Sequence, residues 1–418
     1  MTDWLPPEQR VVITGLGGVT PNGLDMATTW NNVRQGKSGI GPITLFDTSK
    51  YKVKFAGEVH DWDPLTYMSK KDARRADRFA QFAMVAADEA VEHAGLDIAK
   101  ISYDVGIFIG AGAGGIETYQ GVQSILDSHG PGRVNPMLIP MIVPDSAGVQ
   151  VGIRLGARGP NFCSSSACST SLDTVGLALE TIRRGDALVM IAGGAEAAVN
   201  TLGIAGFDQL RALSRSNHDP KGASRPFDRA RNGFVLSEGG VIMVLESLSH
   251  AMTRGATPIA EIRSFAATSD ARHLTAPDRE GGGGARCMIR ALIKACLTPD
   301  RVDFLNAHAT GTPLGDPIEV CSIKTVFGDH TKTMKVTSTK SITGHLLGGA
   351  GALAIAVTAL ALREGCLPPT INLTDPDPEC DLLHVANTAQ SVDAQVALVP
   401  SYGFGGHNSC VVVTKWNE

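Results

Sequence analysis

An α/β fold with a largely buried sheet is predicted by three observations: short β-branched runs ended by glycine, helix-periodic stretches between several of them, and a restart of that alternation after Arg254-Gly255-Ala256. The first run is Val11-Val12-Ile13-Thr14-Gly15-Leu16-Gly17. Phe79 to Ala94 carries the next helical pattern, and Val105-Gly106-Ile107-Phe108-Ile109-Gly110 the second run. Ala187 to Gly194 and Val241 to Glu246 follow as further strands. The pattern then restarts with Ile259 to Phe265, a polar glycine-rich stretch from Asp278 to Gly284, and a helical segment ending near Cys296. Two halves are therefore expected, residues 1–255 and 256–418.

A weak internal repeat supports that division. Cys168 is followed by a helical pattern ending Arg183-Arg184-Gly185, and His345 by one ending Arg363-Glu364-Gly365, each closed by a basic residue and glycine. Two halves of similar build would bring both residues to one interface.

The chain has 418 residues, 43% of them hydrophobic, enough for a large core. Its net charge is -5, with acidic and basic residues dispersed, which argues against a nucleic-acid surface as the main feature. Met1-Thr2-Asp3-Trp4-Leu5-Pro6-Pro7 shows no basic region followed by an apolar stretch, so no secretory signal is expected and the cytoplasm is the expected location. The longest strongly apolar segment, Gly351 to Leu362, is shorter than the ~20 residues of a membrane span and is expected as a buried helix. Eight cysteines show no Cys-x-x-Cys pair, so neither a structural zinc site nor a redox pair is indicated.

Cys168 sits in Ser164-Ser165-Ser166-Ala167-Cys168-Ser169-Thr170-Ser171. Downstream, Leu172, Val175, Leu179 and Ile182 form one apolar helical stripe. Cys168 is thus expected at a helix N-terminus, where free amides and the helix dipole lower a thiol's pKa, with nearby serines capping the same amides. An inert cysteine in a Ser/Ala-rich packing turn fits the same run.

Asn306-Ala307-His308-Ala309-Thr310-Gly311-Thr312-Pro313-Leu314-Gly315-Asp316-Pro317-Ile318-Glu319 follows the strand-like Val302 to Leu305. A histidine at a strand end, followed by a Thr/Gly loop, is well placed to meet a ligand. Ser338-Thr339-Lys340-Ser341-Ile342-Thr343-Gly344-His345 sets a lysine five residues before a second histidine. Each histidine alone fits a hydrogen-bonded structural role. With Cys168 they read as a thiol nucleophile with imidazole partners.

These motifs, with Val11-Val12-Ile13-Thr14-Gly15, Ala192-Gly193-Gly194-Ala195-Glu196, Arg225-Pro226-Phe227-Asp228 and Gly403-Phe404-Gly405-Gly406, make the chain resemble the β-ketoacyl-[acyl-carrier-protein] synthases of the elongating, two-histidine type. The resemblance covers essentially the whole chain. It implies a thiolase-like fold: two pseudo-symmetric α/β halves in a layered α-β-α-β-α architecture. It also implies the reaction, a decarboxylative Claisen condensation of malonyl-carrier protein with an acyl chain held on Cys168. By the same resemblance, the amides of Cys168 and Phe404 form the oxyanion site, His308 and His345 support the enolate as neutral imidazoles, and Lys340 organises the site electrostatically. Thr310 and Thr312 match threonines that bind the pantetheine arm. Ala113, in a position taken by a small residue or an isoleucine gate, and Phe207, Met137 and Leu138 are the implied apolar acyl pocket, partly completed by a second subunit. Medium or long acyl chains are accordingly expected.

Two positions depart from the family pattern. Ala309 stands where glycine usually follows the histidine. Ala354 replaces a glutamate that commonly pairs with the lysine and contributes to a buried cation site, so Glu319 is the candidate partner for Lys340. A structural monovalent cation, which the resemblance allows, loses an implied ligand; no other metal or cofactor is expected beyond the phosphopantetheine carried by the substrates. Gly110-Ala111-Gly112-Ala113-Gly114-Gly115 formally fits a dinucleotide loop, but no strand ending in an acid follows it at the required distance.

Lys70, Lys71, Arg74, Arg75 and Arg78 recur along one expected helix face. A solvated face is the plain reading. The resemblance makes it the candidate docking patch for an acidic carrier protein. It also implies a homodimer, and neither a nucleic-acid nor a membrane partner is expected. Among rivals, a thiolase would carry a second cysteine in the C-terminal glycine motif, and Gly403 to Asn408 has none. A discrete type II polyketide ketosynthase is closer. A non-catalytic chain-length-factor-like partner typically lacks the cysteine. A serine hydrolase would need a Gly-x-Ser-x-Gly elbow, absent at Ser164 to Ser166.

Overall fold

The computed structural model describes residues 5–417; Met1 to Trp4, part of the segment read above for a leader, lie outside them. Each predicted run becomes a strand. The first set is β1 (Val11–Val19), β2 (Val105–Gly110), β3 (Asn161–Phe162), β4 (Val189–Glu196) and β5 (Gly239–Ser247). The second is β6 (Ala260–Ser269), β7 (Phe304–Asn306), β8 (Lys335–Thr337), β9 (Leu383–His384), β10 (Val396–Gly403) and β11 (His407–Lys415).

These eleven strands lie in the order β3-β2-β4-β5-β1-β6-β11-β10-β7-β8-β9. The two sets repeat one plan. β1/β5 and β6/β11 are antiparallel, as are β5/β4 and β11/β10. β4/β2 and β10/β7 are parallel, as are β2/β3 and β7/β8. Among the described residues, the two sets pair with each other only where Val11, Val12 and Ile13 of β1 face Ile262, Glu261 and Ala260 of β6.

Strand periodicity divides the apolar side chains between layers. In β4, Val189 and Ile191 face the helix α1 (Arg78–Ala94), while Met190 and Ala192 face a central layer. In β11, Val411 and Val413 face that same central layer, and Cys410 and Val412 face the outer helix α3 (Gly282–Lys294). The central layer is built by α2 (Thr170–Arg184) and α4 (Ala350–Glu364), which share one core. The result is α-β-α-β-α. Both central helices end on a glycine in the left-handed region, Gly185 at φ 79° and Gly365 at φ 65°, as the internal repeat predicts. Every residue of α4 from Ala350 to Leu362 is buried. Leu347–Glu364 is long and apolar enough to cross a membrane, but 89% of it is buried inside the protein, so it is a core helix.

Three local expectations change. Cys168 lies in a 3-10 turn, Ala167–Ser169, and α2 begins at Thr170. The glycine-rich stretch ends early, because Gly282 to Gly284 already form the first turn of α3. The basic run is not one helix face: Lys70–Ala73 forms a short helix, and α1 starts anew after the Asp77 cap.

Candidate active site

The turn that presents Cys168 is held from three directions. Ala167 adopts φ 53°, a left-handed backbone unusual for a residue with a side chain. The Thr170 hydroxyl donates to Ala167 O (2.7 Å) and accepts from Ser166 N (2.9 Å). The expected serine cap is absent: Ser169 makes no side-chain cap, and the Ser166 hydroxyl turns to Asp173 instead. Gly403 packs directly on this turn; a Cβ there would lie 2.5 Å from Ser166 O. That close approach brings the Phe404 N–H to the Cys168 sulfur, beside the cysteine's own amide.

The electrostatics reverse the sequence expectation for the thiol. Burial pushes Cys168 up to about 11, and only part of that rise is offset by the Lys340 cation and the Phe404 N–H. The sulfur opens to a cavity, yet the surrounding protein removes most of its water. The thiolate therefore needs help beyond the turn's own amides.

His308 and His345 come from the second strand set and meet at 5.5 Å between ring centroids, edge to face. His308 follows β7, and its Nδ1 lies 3.2 Å from the Ser401 hydroxyl on β10. His345 is buried, with neither ring nitrogen hydrogen-bonded. Burial and the Lys340 charge hold both imidazoles well below the usual histidine range, so both are neutral near pH 7. Lys340 is itself buried, and burial lowers its pKa; Glu319 is the strongest opposing influence. Glu319 acts through space. Its two oxygens accept from the His308 amide (2.8 Å) and the Ala309 amide (2.7 Å), so it fixes the histidine's backbone rather than closing an ion pair. Burial raises Glu319 in turn.

Cys168, Phe207, His308, Thr310, Thr312, His345 and Phe404 line one cavity of about 350 Å3. Lys340 stands behind that lining, and Ala113, Met137 and Leu138 lie outside it. Sequence reasoning passed over Asp316, whose buried carboxylate accepts from Gly311 N (3.1 Å), Thr312 N (3.3 Å) and Phe227 N (3.0 Å), tying the Arg225-Pro226-Phe227-Asp228 motif to the threonine loop. Its position three residues before Glu319 in one motif was the available signal. Ser401 and Tyr402, beside Gly403, were also missed. Gly114 and Gly115 serve close packing against Ile142 and Met141 rather than a nucleotide.

Lys70, Lys71, Arg74 and Arg75 are exposed. Arg78 leaves the patch: it pairs with the fully buried Glu238 at 2.7 Å and donates to Val59 O. At position 354, Ala354 offers no side-chain ligand; the Asn306 amide beside it donates to Ala354 O at 3.2 Å, and Asn306 Oδ1 is buried without a partner among the described residues.

Two family descriptions match the chain, "Beta-ketoacyl synthase, N-terminal domain" over residues 8–251 and "Beta-ketoacyl synthase, C-terminal domain" over residues 259–374. A 3-oxoacyl-[acyl-carrier-protein] synthase 2 from Staphylococcus aureus (strain COL) is 48% identical over 409 residues, covering 98% of this chain and 99% of that protein. Among solved structures, the ishigamide ketosynthase/chain length factor superposes with a TM-score of 0.92 at 32% identity, covering 98% of this chain and 99% of that one. A type II polyketide acyl-carrier protein in complex with its ketosynthase bound to the hexaketide gives 0.88 at 32% identity, covering 97% and 99%. With the same motifs on the same layered fold over its whole length, the chain belongs to the β-ketoacyl synthase family.

Proposed function

We propose that this enzyme elongates fatty acids by condensing malonyl-carrier protein with an acyl chain carried on Cys168. The observation that carries the reading is the convergence of Cys168, His308 and His345 on one cavity, with the Phe404 N–H at the sulfur. The Cys168 thiolate attacks the acyl thioester, the bond to the pantetheine sulfur breaks, and that sulfur takes up the proton the thiol lost. Malonyl thioester then binds, its carboxylate leaves as carbon dioxide, and the bonding pair becomes an enolate. The enolate carbon attacks the acyl-cysteine carbonyl, forming the carbon–carbon bond and returning the Cys168 thiolate. Amides of Cys168 and Phe404 face the oxyanion, neutral His345 donates to the enolate oxygen with neutral His308 beside it, and Lys340 supplies positive charge from behind.

The substrates' phosphopantetheine passes Thr310 and Thr312. The carrier protein docks at Lys70, Lys71, Arg74 and Arg75; the similar ketosynthase solved with its acyl-carrier protein supports a carrier partner. A homodimer, a cytoplasmic location, a division of the chain near 255, and an acyl pocket at Ala113 complete the reading. The likeness to polyketide ketosynthases favours one alternative, a discrete synthase for a specialised product. Incubation with acyl-carrier proteins of several lengths, followed by intact-mass measurement of wild type and Cys168→Ala, tests it. An adduct on wild type alone is expected. An adduct surviving in the variant would remove Cys168 from the nucleophile's role.

A further inference from the structure

We propose that Glu196 is a positioning residue that clamps the Gly112–Ala113 loop to the Leu347–Gly349 turn, and so fixes the wall beside which the acyl chain on Cys168 lies. The inference rests on the reading of Cys168 as the acyl carrier. Glu196 ends β4, is fully buried, and forms no ion pair among the described residues. Three amides hold its carboxylate instead. Oε2 accepts from Gly112 N (2.8 Å) and Gly348 N (3.2 Å), and Oε1 accepts from Ala113 N (3.0 Å). Two segments more than 230 positions apart in the chain thus share one carboxylate.

The backbone there is built for that approach. A Cβ on Gly348 would lie 2.7 Å from Gly112 N and 2.8 Å from Glu196 Oε2, and a Cβ on Gly112 would lie 2.7 Å from the same oxygen. Leu347, next to the clamped amide, sits at φ 47°, a left-handed conformation that persists only when its surroundings over-determine it. Its side chain lines the cavity and packs in the same apolar cluster as Cys168 and Phe207. On the other side, the Ser165 hydroxyl donates to Gly112 O at 3.2 Å, so the clamped loop is also tied to the cysteine run. Glu196 touches no reacting atom; it acts through Leu347 and the loop that carries Ala113. Its charge additionally disfavours the Cys168 thiolate, which gives a second observable.

The test compares wild type with Glu196→Gln, which keeps size but replaces one accepting oxygen with a donor. Cys168 acylation is followed by intact mass with a short and a long acyl-carrier protein, on one preparation, so the ratio of the two rates is independent of the folded fraction. That ratio should change by roughly tenfold in the variant, the effect of about 1.4 kcal/mol on a barrier. The pH midpoint for alkylation of Cys168 by iodoacetamide should fall with the negative charge removed. If Glu196→Gln does not fold, Gly348→Ala strains the same clamp from the other side and should move the same ratio. An unchanged ratio in a folded variant overturns the clamp. Wild type that gains no acyl group on Cys168 would instead overturn the function it rests on.

Discussion

The Ser401 hydroxyl lies 3.2 Å from Nδ1 of His308 while donating at 3.0 Å to the Cys168 carbonyl. A hydroxyl has one hydrogen, so with that hydrogen spent on Cys168 the contact with His308 requires an N–H on Nδ1. The Nε2 of His308 then carries a lone pair, whereas His345, with both nitrogens unengaged, is free to donate. The sequence reading treats the two histidines alike; the structure separates them.

This separation predicts the tautomers. Nitrogen NMR of labelled protein should show His308 as the Nδ1–H form. Ser401→Ala should mix the tautomers, adding an Nε2–H form that the wild type lacks. A His308 signal already in the Nε2–H form in wild type would contradict the assignment.

The Cys168 thiol should behave as a weak acid. With its pKa pushed up to about 11, alkylation by iodoacetamide should climb steeply above pH 9 rather than level off near neutrality. Lys340, itself lowered to about 8 by burial, favours the thiolate while it is charged, so Lys340→Ala should slow alkylation at neutral pH. An unchanged rate at neutral pH would show that Lys340 does not act on the sulfur.

Glu319→Gln should slow condensation and narrow its pH range. The charge that holds up the Lys340 pKa disappears, so Lys340 loses its proton at lower pH and the basic limb of the rate profile moves to lower pH. One of the two amides at His308 and Ala309 also faces a donor instead of an acceptor. A profile with its basic limb unmoved would mean that Glu319 serves the loop alone.

The basic patch predicts two unlike outcomes. Charge reversal at Arg74 and Arg75, both exposed, should raise the carrier-protein KM and leave the melting temperature unchanged. Arg78→Ala should instead destabilise the fold by about 3–5 kcal/mol, because it strands the buried Glu238 carboxylate. Denaturant titration and steady-state kinetics separate the two. A carrier KM unaffected by the double reversal would move docking elsewhere.

Much of this was legible in the sequence where the signal is local. β-branched runs, the apolar stripe of α2 and the two glycine caps were read correctly, because periodicity and left-handed backbone leave marks within a few residues. The cavity-lining Cys168, His308, His345 and Phe404 were found through motifs. What escaped depended on distance in the fold. Arg78 belongs by spacing to a surface face, but burial of Glu238, 160 positions away, claims it. The thiol's acidity followed not from the helix end but from the water that packing removes. Asp316 and Glu196 stand inside motifs quoted from the sequence, but only the folded chain shows which amides converge on them.

The repeated strand order has a consequence for assembly. β11 does not lie at an edge but between β6 and β10, with eight or more residues paired on each side. The second strand set closes only when β11 inserts there, and that closure seats Gly403, at the end of β10, against the Cys168 turn. The thiol is thus held in one half, while the Phe404 amide at its sulfur is delivered by the strand pair that completes the other.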